Sequence, residues 1–206
     1  MIKKIKDIIS GPEEEKKVVI LDPASLGPQE PDMRVVGLFA DVNDEKVAEI
    51  IQSILYFNEL NLQAEQDNLR PITFYLSTYG GNADDMFAMY DLMRNIRSST
   101  EIHTVGLGKV MSAGVLLLAA GTKGHRYIGK NCRVMIHSVM GGNHGALHNM
   151  MNEMEAIEQL QDMYCDALIS ETRLTRVKLK NMLERKVNVY LSAEEAVELG
   201  IADEII

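Results

Sequence analysis

The chain has 206 residues, of which 46% are hydrophobic and 25% are charged, so it is long enough for one domain with a substantial core. Its net charge of −9 disfavours a general nucleic-acid-binding protein, and no stretch reaches the roughly 18 uninterrupted apolar residues of a membrane span. The two cysteines, Cys132 and Cys165, are far apart in sequence, which argues against a disulfide framework and fits a reducing, cytoplasmic location.

Residues 1–33 are predicted to form an N-terminal arm that precedes the domain. This segment holds four of the five prolines and the charge run EEEKK, a composition typical of linkers. Lys3, Lys4 and Asp7 interrupt the apolar residues of the opening MIKKIKDIIS, so we do not expect a signal peptide. Residues 34–206 are predicted to form a single domain.

Strand and helix patterns alternate along residues 34–206, which predicts an α/β fold. Strands are predicted at 34–39, 72–77, 101–106, 125–129, 133–137, from 189, and after Gly200. Helices are predicted from Asn43 or Asp44, and at 83–97, 113–120, 147–170, 175–185 and after Ser192. The glycine clusters in TYGGN and GLGK are predicted to be turns.

Ser112 lies in the stretch GLGKVMSAGVLLLAAG, directly before the helix predicted at 113–120. It is either a helix N-cap or a nucleophile placed at the start of a helix. Acyl transfer also needs N–H donors for the oxyanion, and the backbone of Ala113 offers one. Gly81, in the YGGN turn, could offer a second because a residue without Cβ permits close approach.

His137 is the candidate general base. It ends the predicted strand RVMIH and precedes a glycine-rich loop, a position at which α/β folds often place functional side chains. Lys109 is an alternative base in a Ser–Lys pair, although its side chain is expected to be exposed. His144 and His148 are spaced as neighbours on a helix face, but no further ligand accompanies them, so no metal site is expected.

Three blocks in this order resemble the ClpP family, the proteolytic subunits of the Clp protease, over roughly residues 34–206. They are YLSTYGGNADDMFAMYDLMR, GKVMSAGVLLLAAGTKGHRYIGKNCRVMIH and YLSAEEAVELGIADEII. The resemblance implies a ClpP/crotonase-like fold of repeated β-β-α units with a long protruding handle helix, here at about 138–170. It also implies Ser112 as the nucleophile, His137 as the general base, and Gly81 and Ala113 as the oxyanion donors.

The third catalytic position departs from the family pattern. Asn188 stands where the family has aspartate, and Tyr79 replaces the proline before the glycine pair. An asparagine carbonyl can hold the useful histidine tautomer, but it lacks the charge that stabilises an imidazolium. In a chymotrypsin-type triad the change from Asp to Asn costs about 10⁴ in kcat. The chain is therefore either active with a Ser–His–Asn arrangement, which we favour, or impaired.

The resemblance further implies an ATP-dependent endopeptidase that cleaves unfolded polypeptides inside a chamber of two heptameric rings. An AAA+ unfoldase partner is implied because the chain has no P-loop of its own. No cofactor, nucleic acid or membrane is expected. One alternative is a weakly active or inactive scaffold subunit of a mixed ring, and a less favoured one is a crotonase-like acyl-CoA enzyme.

Overall fold

The computed structural model describes residues 33–142, 144–184 and 188–206, and Arg34–Ile206 form one compact unit. The predicted N-terminal arm lies outside the described residues except for Met33. The end of the helix predicted at 175–185 also falls outside them. Among the described helices, none combines the length and the apolar composition that crossing a bilayer requires.

Helices and strands alternate as the sequence predicts, so the α/β fold class is confirmed. The strands are β1 (Val35–Leu38), β2 (Ile72–Thr78), β3 (Ile102–Met111), β4 (Arg126–Ile128), β5 (Arg133–Ile136), β6 (Val189–Leu191) and β7 (Glu204–Ile205). The helices are α1 (Asp44–Gln63), α2 (Ala83–Ile96), α3 (Ala113–Ala119), α4 (Leu147–Glu171), α5 (Arg176–Glu184) and α6 (Ala193–Glu198).

Side-chain caps fix the starts of three helices. The Asn43 side chain accepts from the N–H of Lys46 at the start of α1, and the side chain of Asn82 caps α2. Ser192 and Glu195 form a reciprocal capping box at the start of α6. Asn82 directly follows the glycine pair Gly80 and Gly81, so its cap fixes where the glycine turn ends and α2 begins.

The strands form one sheet in the order β1-β2-β3-β4-β7, and every neighbouring pair in this row is parallel. Strand β5 pairs in parallel with the second half of β3 and antiparallel with β6. The carboxyl ends of β3 and β5 therefore lie side by side, which is where α/β folds place functional side chains.

The turn predicted at GLGK is wrong, because β3 continues through it to Met111. Its register with β2 shifts between Leu76 and Thr78, and Gly108 has a φ of +65°. This irregularity lets one strand pair with β4 first and then with β5 from Lys109 onwards. Glycine permits that local bend, so the glycines mark a bulge and not the end of the strand.

Helix α4 has two unlike halves. Its buried residues are Tyr164, Ala167, Leu168 and Glu171, all near the C-terminal end. Its first turns expose large apolar side chains, including Met151 at 59% and Met154 at 58%. The part of α4 nearest its start therefore contributes little to the domain core, and its assignment as a handle stays a prediction.

A buried ion-pair network anchors the C-terminal end of α4. Glu171 is 2% exposed and accepts two hydrogen bonds from Arg97, at 2.9 and 3.0 Å, and one from the Tyr90 hydroxyl at 3.1 Å. Arg126, also buried, donates to Asp203 and to the carbonyl of Glu171. These bonds tie α4 to α2 and β4, and they fix the segment that carries Tyr164.

Candidate active site

Ser112 is the single residue between the end of β3 at Met111 and the start of α3 at Ala113. Its φ of +52° makes it the one residue other than glycine with positive φ in the described part of the chain. Such strain persists only where the surroundings enforce it, and it clusters at functional sites. Ser112 occupies the N-cap position of α3, but its hydroxyl makes no capping hydrogen bond, so its side chain does not cap the helix.

Three hydrogen bonds hold the Ser112 backbone in this conformation. Its N–H donates to the carbonyl of Met135 on β5 at 2.8 Å. Its carbonyl accepts from the N–H of Val115 at 3.0 Å and from the hydroxyl of Tyr164, also at 3.0 Å. Burial raises the pKa of Tyr164, which is 4% exposed, so this hydroxyl stays protonated and remains a donor.

The glycine turn passes very close to Ser112. A Cβ on Gly80, whose φ is +100°, would lie 2.6 Å from the Ser112 Cβ. A Cβ on Gly81, whose φ is +151°, would lie 2.2 Å from the carbonyl oxygen of Val42. Only glycine fits at either position. Gly81 was predicted from the sequence but Gly80 was not, because the need for glycine at Gly80 depends on its approach to Ser112, which is distant in sequence.

Val42 fixes the position of this turn. Its N–H donates to the carbonyl of Gly80 at 2.7 Å, and its carbonyl accepts from the N–H of Asn82 at 2.8 Å. The N–H of Gly80 donates to the Thr78 hydroxyl at 3.0 Å. The backbone around Gly81 is thus held between β2 and α2.

The pairing between β3 and β5 brings His137 to the same edge of the sheet as Ser112. Met111 pairs with Met135, so each strand runs on to its candidate residue at the same edge of the sheet. His137 is half-buried, and its Nδ1 lies 2.5 Å from the carbonyl oxygen of Ser138. An Nδ1–H donated to that carbonyl leaves the lone pair on Nε2, the tautomer that a general base requires.

A cavity of about 370 Å³ joins four of the five predicted site residues, namely Ser112, His137, Gly81 and Ala113. Apolar side chains such as Met86 and Leu160 form other parts of its wall. An apolar cleft with a few convergent polar groups is the usual form of a substrate site.

Asn188 is exposed, and it is not among the residues that line this cavity. The antiparallel pairing of β5 and β6 places Ile136 opposite Val189, so continuing the register by one step places His137 opposite Asn188. Directly opposed residues have Cβ atoms about 5 Å apart. The hydrogen bond of Nδ1, however, goes to Ser138, and the role of Asn188 stays a prediction.

The side chain of Lys109, the alternative base, packs against Tyr79. Its ammonium lies 4.6 Å from the centre of the Tyr79 ring, in a cation–π contact, and it is not among the residues that line the cavity. The structure does not support the Ser–Lys pair.

A comparison with protein-family models matches residues 31–206 to the model described as Clp protease. The match spans all three sequence blocks and every candidate residue of the site.

Proposed function

The chain belongs to the Clp protease family, whose members are serine peptidases, and on that premise we propose that it is an active endopeptidase. Its substrates are unfolded polypeptides, which need no bound metal or cofactor for hydrolysis by a serine nucleophile. Ser112 is the nucleophile and His137 the general base in this proposal. Residues 34–206 are the peptidase domain, preceded by the arm.

The proposed reaction begins with proton transfer from the Ser112 hydroxyl to Nε2 of His137. The Ser112 oxygen attacks the peptide carbonyl, and the N–H groups of Gly81 and Ala113 stabilise the resulting oxyanion. His137 then passes the proton to the leaving amine. A water molecule, activated by the same imidazole, hydrolyses the acyl-enzyme and regenerates Ser112.

The observation that carries this proposal is the conformation of Ser112. Its strained backbone and uncapped hydroxyl lie at a cavity that it shares with His137 and both oxyanion candidates. A structural serine at a helix start would adopt ordinary extended backbone and cap the helix. The Ser138 carbonyl already holds the His137 ring, which supports activity despite the amide at Asn188.

Assembly and partners form the second part of the proposal. Clp protease family members generally form oligomeric rings that work with AAA+ partners. We infer two stacked heptameric rings of this chain in the cytoplasm, fed by an unfoldase that supplies ATP hydrolysis. The exposed apolar side chains at the start of α4, among them Met151 and Met154, support contact with another copy.

The second candidate function is a weakly active or inactive scaffold subunit of a mixed ring, which the amide at Asn188 favours. A fluorophosphonate probe separates the two, because it reacts only with an activated serine. We expect labelling of the intact protein at Ser112, identified by peptide mapping, and none in Ser112→Ala. Absence of both labelling and peptide hydrolysis in the assembled wild type would establish the scaffold.

A further inference from the structure

Glu101, His103 and His125 lie together at the amino-terminal ends of β3 and β4. Thr104 pairs with Arg126 in the parallel register, so the preceding residues, His103 and His125, are neighbours on adjacent strands. Ser112 follows the other end of β3, nine residues of strand or roughly 30 Å from His103. The cluster is therefore separate from the candidate active site.

The potential ligand atoms of the three residues all lie within 4.8 Å of one another. The Oε2 atom of Glu101 is 3.0 Å from Nε2 of His103 and 4.0 Å from Nε2 of His125. Two ligands of a tetrahedral zinc ion, each about 2.1 Å from the metal, lie about 3.4 Å apart. One of the two Glu101–histidine distances is shorter than this value and the other is longer.

We propose that Glu101, His103 and His125 bind a divalent transition metal ion such as Zn²⁺. Two imidazole nitrogens and one carboxylate oxygen form a ligand set that zinc uses widely, with the fourth position left to water. Such a set favours zinc, cobalt or nickel over Mg²⁺ and Ca²⁺, which prefer oxygen ligands. The sequence did not predict this site, because only the pairing of β3 with β4 brings His125 to Glu101 and His103.

The neighbouring hydroxyl of Tyr127 supports His125 as a metal ligand. Its Nδ1 lies 3.4 Å from the hydroxyl of Tyr127, while its Nε2 is turned towards Glu101. Metal-binding histidines usually have such a partner on the second ring nitrogen, because it fixes the tautomer and the ring orientation.

The two imidazole rings are stacked, with centroids 4.2 Å apart and an angle of 8° between their planes. Lone pairs in parallel planes do not converge on one ion, so one ring must turn for both to bind. The His125 side chain is 40% exposed, compared with 20% for His103, and therefore has more freedom to turn. The bound ion would link the start of β3 to the start of β4.

Zinc binding to the full-length protein, measured by competition with a chromophoric chelator, tests the proposal. His103→Phe and His125→Phe keep an aromatic ring in the stack but remove the ligand nitrogen. We expect each to weaken binding of one zinc equivalent by at least about tenfold, since even loss of an outer partner costs 10- to 100-fold. The control is the double variant His144→Gln/His148→Gln, which alters two exposed histidines elsewhere and should retain this equivalent.

Thermal unfolding gives a second readout that does not depend on peptidase activity. A ligand that binds only the folded state raises Tm, so saturating Zn²⁺ should raise the Tm of the wild type by several degrees. Neither Phe variant should show this rise, and Mg²⁺ should not produce it. Equal zinc affinity in the wild type and both Phe variants, or no zinc binding by the wild type, would overturn the proposal.

Discussion

Nδ1 of His137 lies 2.5 Å from the carbonyl oxygen of Ser138, the next residue along the chain. The candidate base is thus oriented by a local backbone group, although the extended β5–β6 register places Asn188 directly opposite it. A neutral carbonyl holds the tautomer but supplies no negative charge for the imidazolium. A role for Asn188 in orienting His137 stays a prediction, and only a carboxylate at that position would add charge beside the imidazole.

The first prediction concerns Asn188. Asn188→Asp should raise peptide hydrolysis, because a carboxylate beside His137 would stabilise the imidazolium, with an upper limit of about 10⁴ in kcat. We expect a far smaller gain, since the Ser138 carbonyl already orients the ring. Asn188→Ala should lower the rate if the amide helps to orient His137. Equal rates for the alanine variant and the wild type would show that Asn188 has no part in catalysis.

The second prediction is that Ser112 and His137 act as one catalytic unit. Ser112→Ala and His137→Ala should each abolish hydrolysis of a fluorogenic peptide, and the double variant should be little worse than either. Light scattering should show unchanged assembly in all three variants, because neither side chain belongs to the core. Losses that multiply in the double variant would indicate that the residues act separately.

The third prediction concerns Tyr164 as a positioning residue. Tyr164→Phe removes the hydrogen bond to the Ser112 carbonyl and should lower the free energy of unfolding by about 1 kcal/mol. Because the bond holds the strained backbone of the nucleophile, kcat should fall while KM changes little. Tyr56→Phe, at a tyrosine that is 61% exposed, is the matched control. A stability loss without any change in kcat would limit Tyr164 to a structural role.

The fourth prediction concerns assembly through α4. Met154 is 58% exposed, so Met154→Glu should leave the fold intact but place a charge on the proposed contact surface. We expect a smaller particle by light scattering, with an unchanged circular dichroism spectrum. Val177→Glu alters a side chain on α5 that is 71% exposed and is the control. A wild type that is a stable monomer at micromolar concentration would contradict the ring.

The fifth prediction concerns pH and Asp203. Burial by itself would raise the pKa of this carboxyl, but the side chain of Arg126 and the N–H groups of Gly124 and Arg126 outweigh it and hold the pKa below its usual 3.8. A carboxyl whose pKa is depressed by folding stabilises the protein above its unfolded-state pKa. That stabilisation is lost as the pH falls through the lower pKa of the folded state.

Asp203→Asn should therefore flatten the loss of stability below about pH 4, measured by urea unfolding at several pH values. At neutral pH it should cost about 2 kcal/mol, because Arg126 is 4% exposed and its hydrogen bonds lose a charged acceptor. Asp91→Asn, at an exposed aspartate on α2, should change neither quantity. An acid transition of unchanged steepness in Asp203→Asn would exclude this carboxyl as its source.

Local patterns predicted most of the helices and strands correctly because each depends on residues close together in sequence. Asn43 and Ser192 are helix caps that the sequence shows directly. The turn predicted at GLGK was wrong because glycine is common both in turns and at strand bulges. Only the pairing of β3 with β4 and then β5 distinguishes the two cases.

Part of the candidate site was likewise predictable from the sequence, and part depends on the tertiary structure. By itself, the sequence determined the residue types and their order, and the resemblance of its blocks assigned Ser112, His137, Gly81 and Ala113 their roles. The tertiary structure decided that the Ser112 hydroxyl does not cap α3, that Tyr164 donates to the Ser112 carbonyl, and that Gly80 lies close to Ser112. It placed the Ser138 carbonyl within hydrogen-bond distance of Nδ1 of His137. It also decided that His103 and His125 meet, since strand register brings together side chains that no spacing along the chain relates.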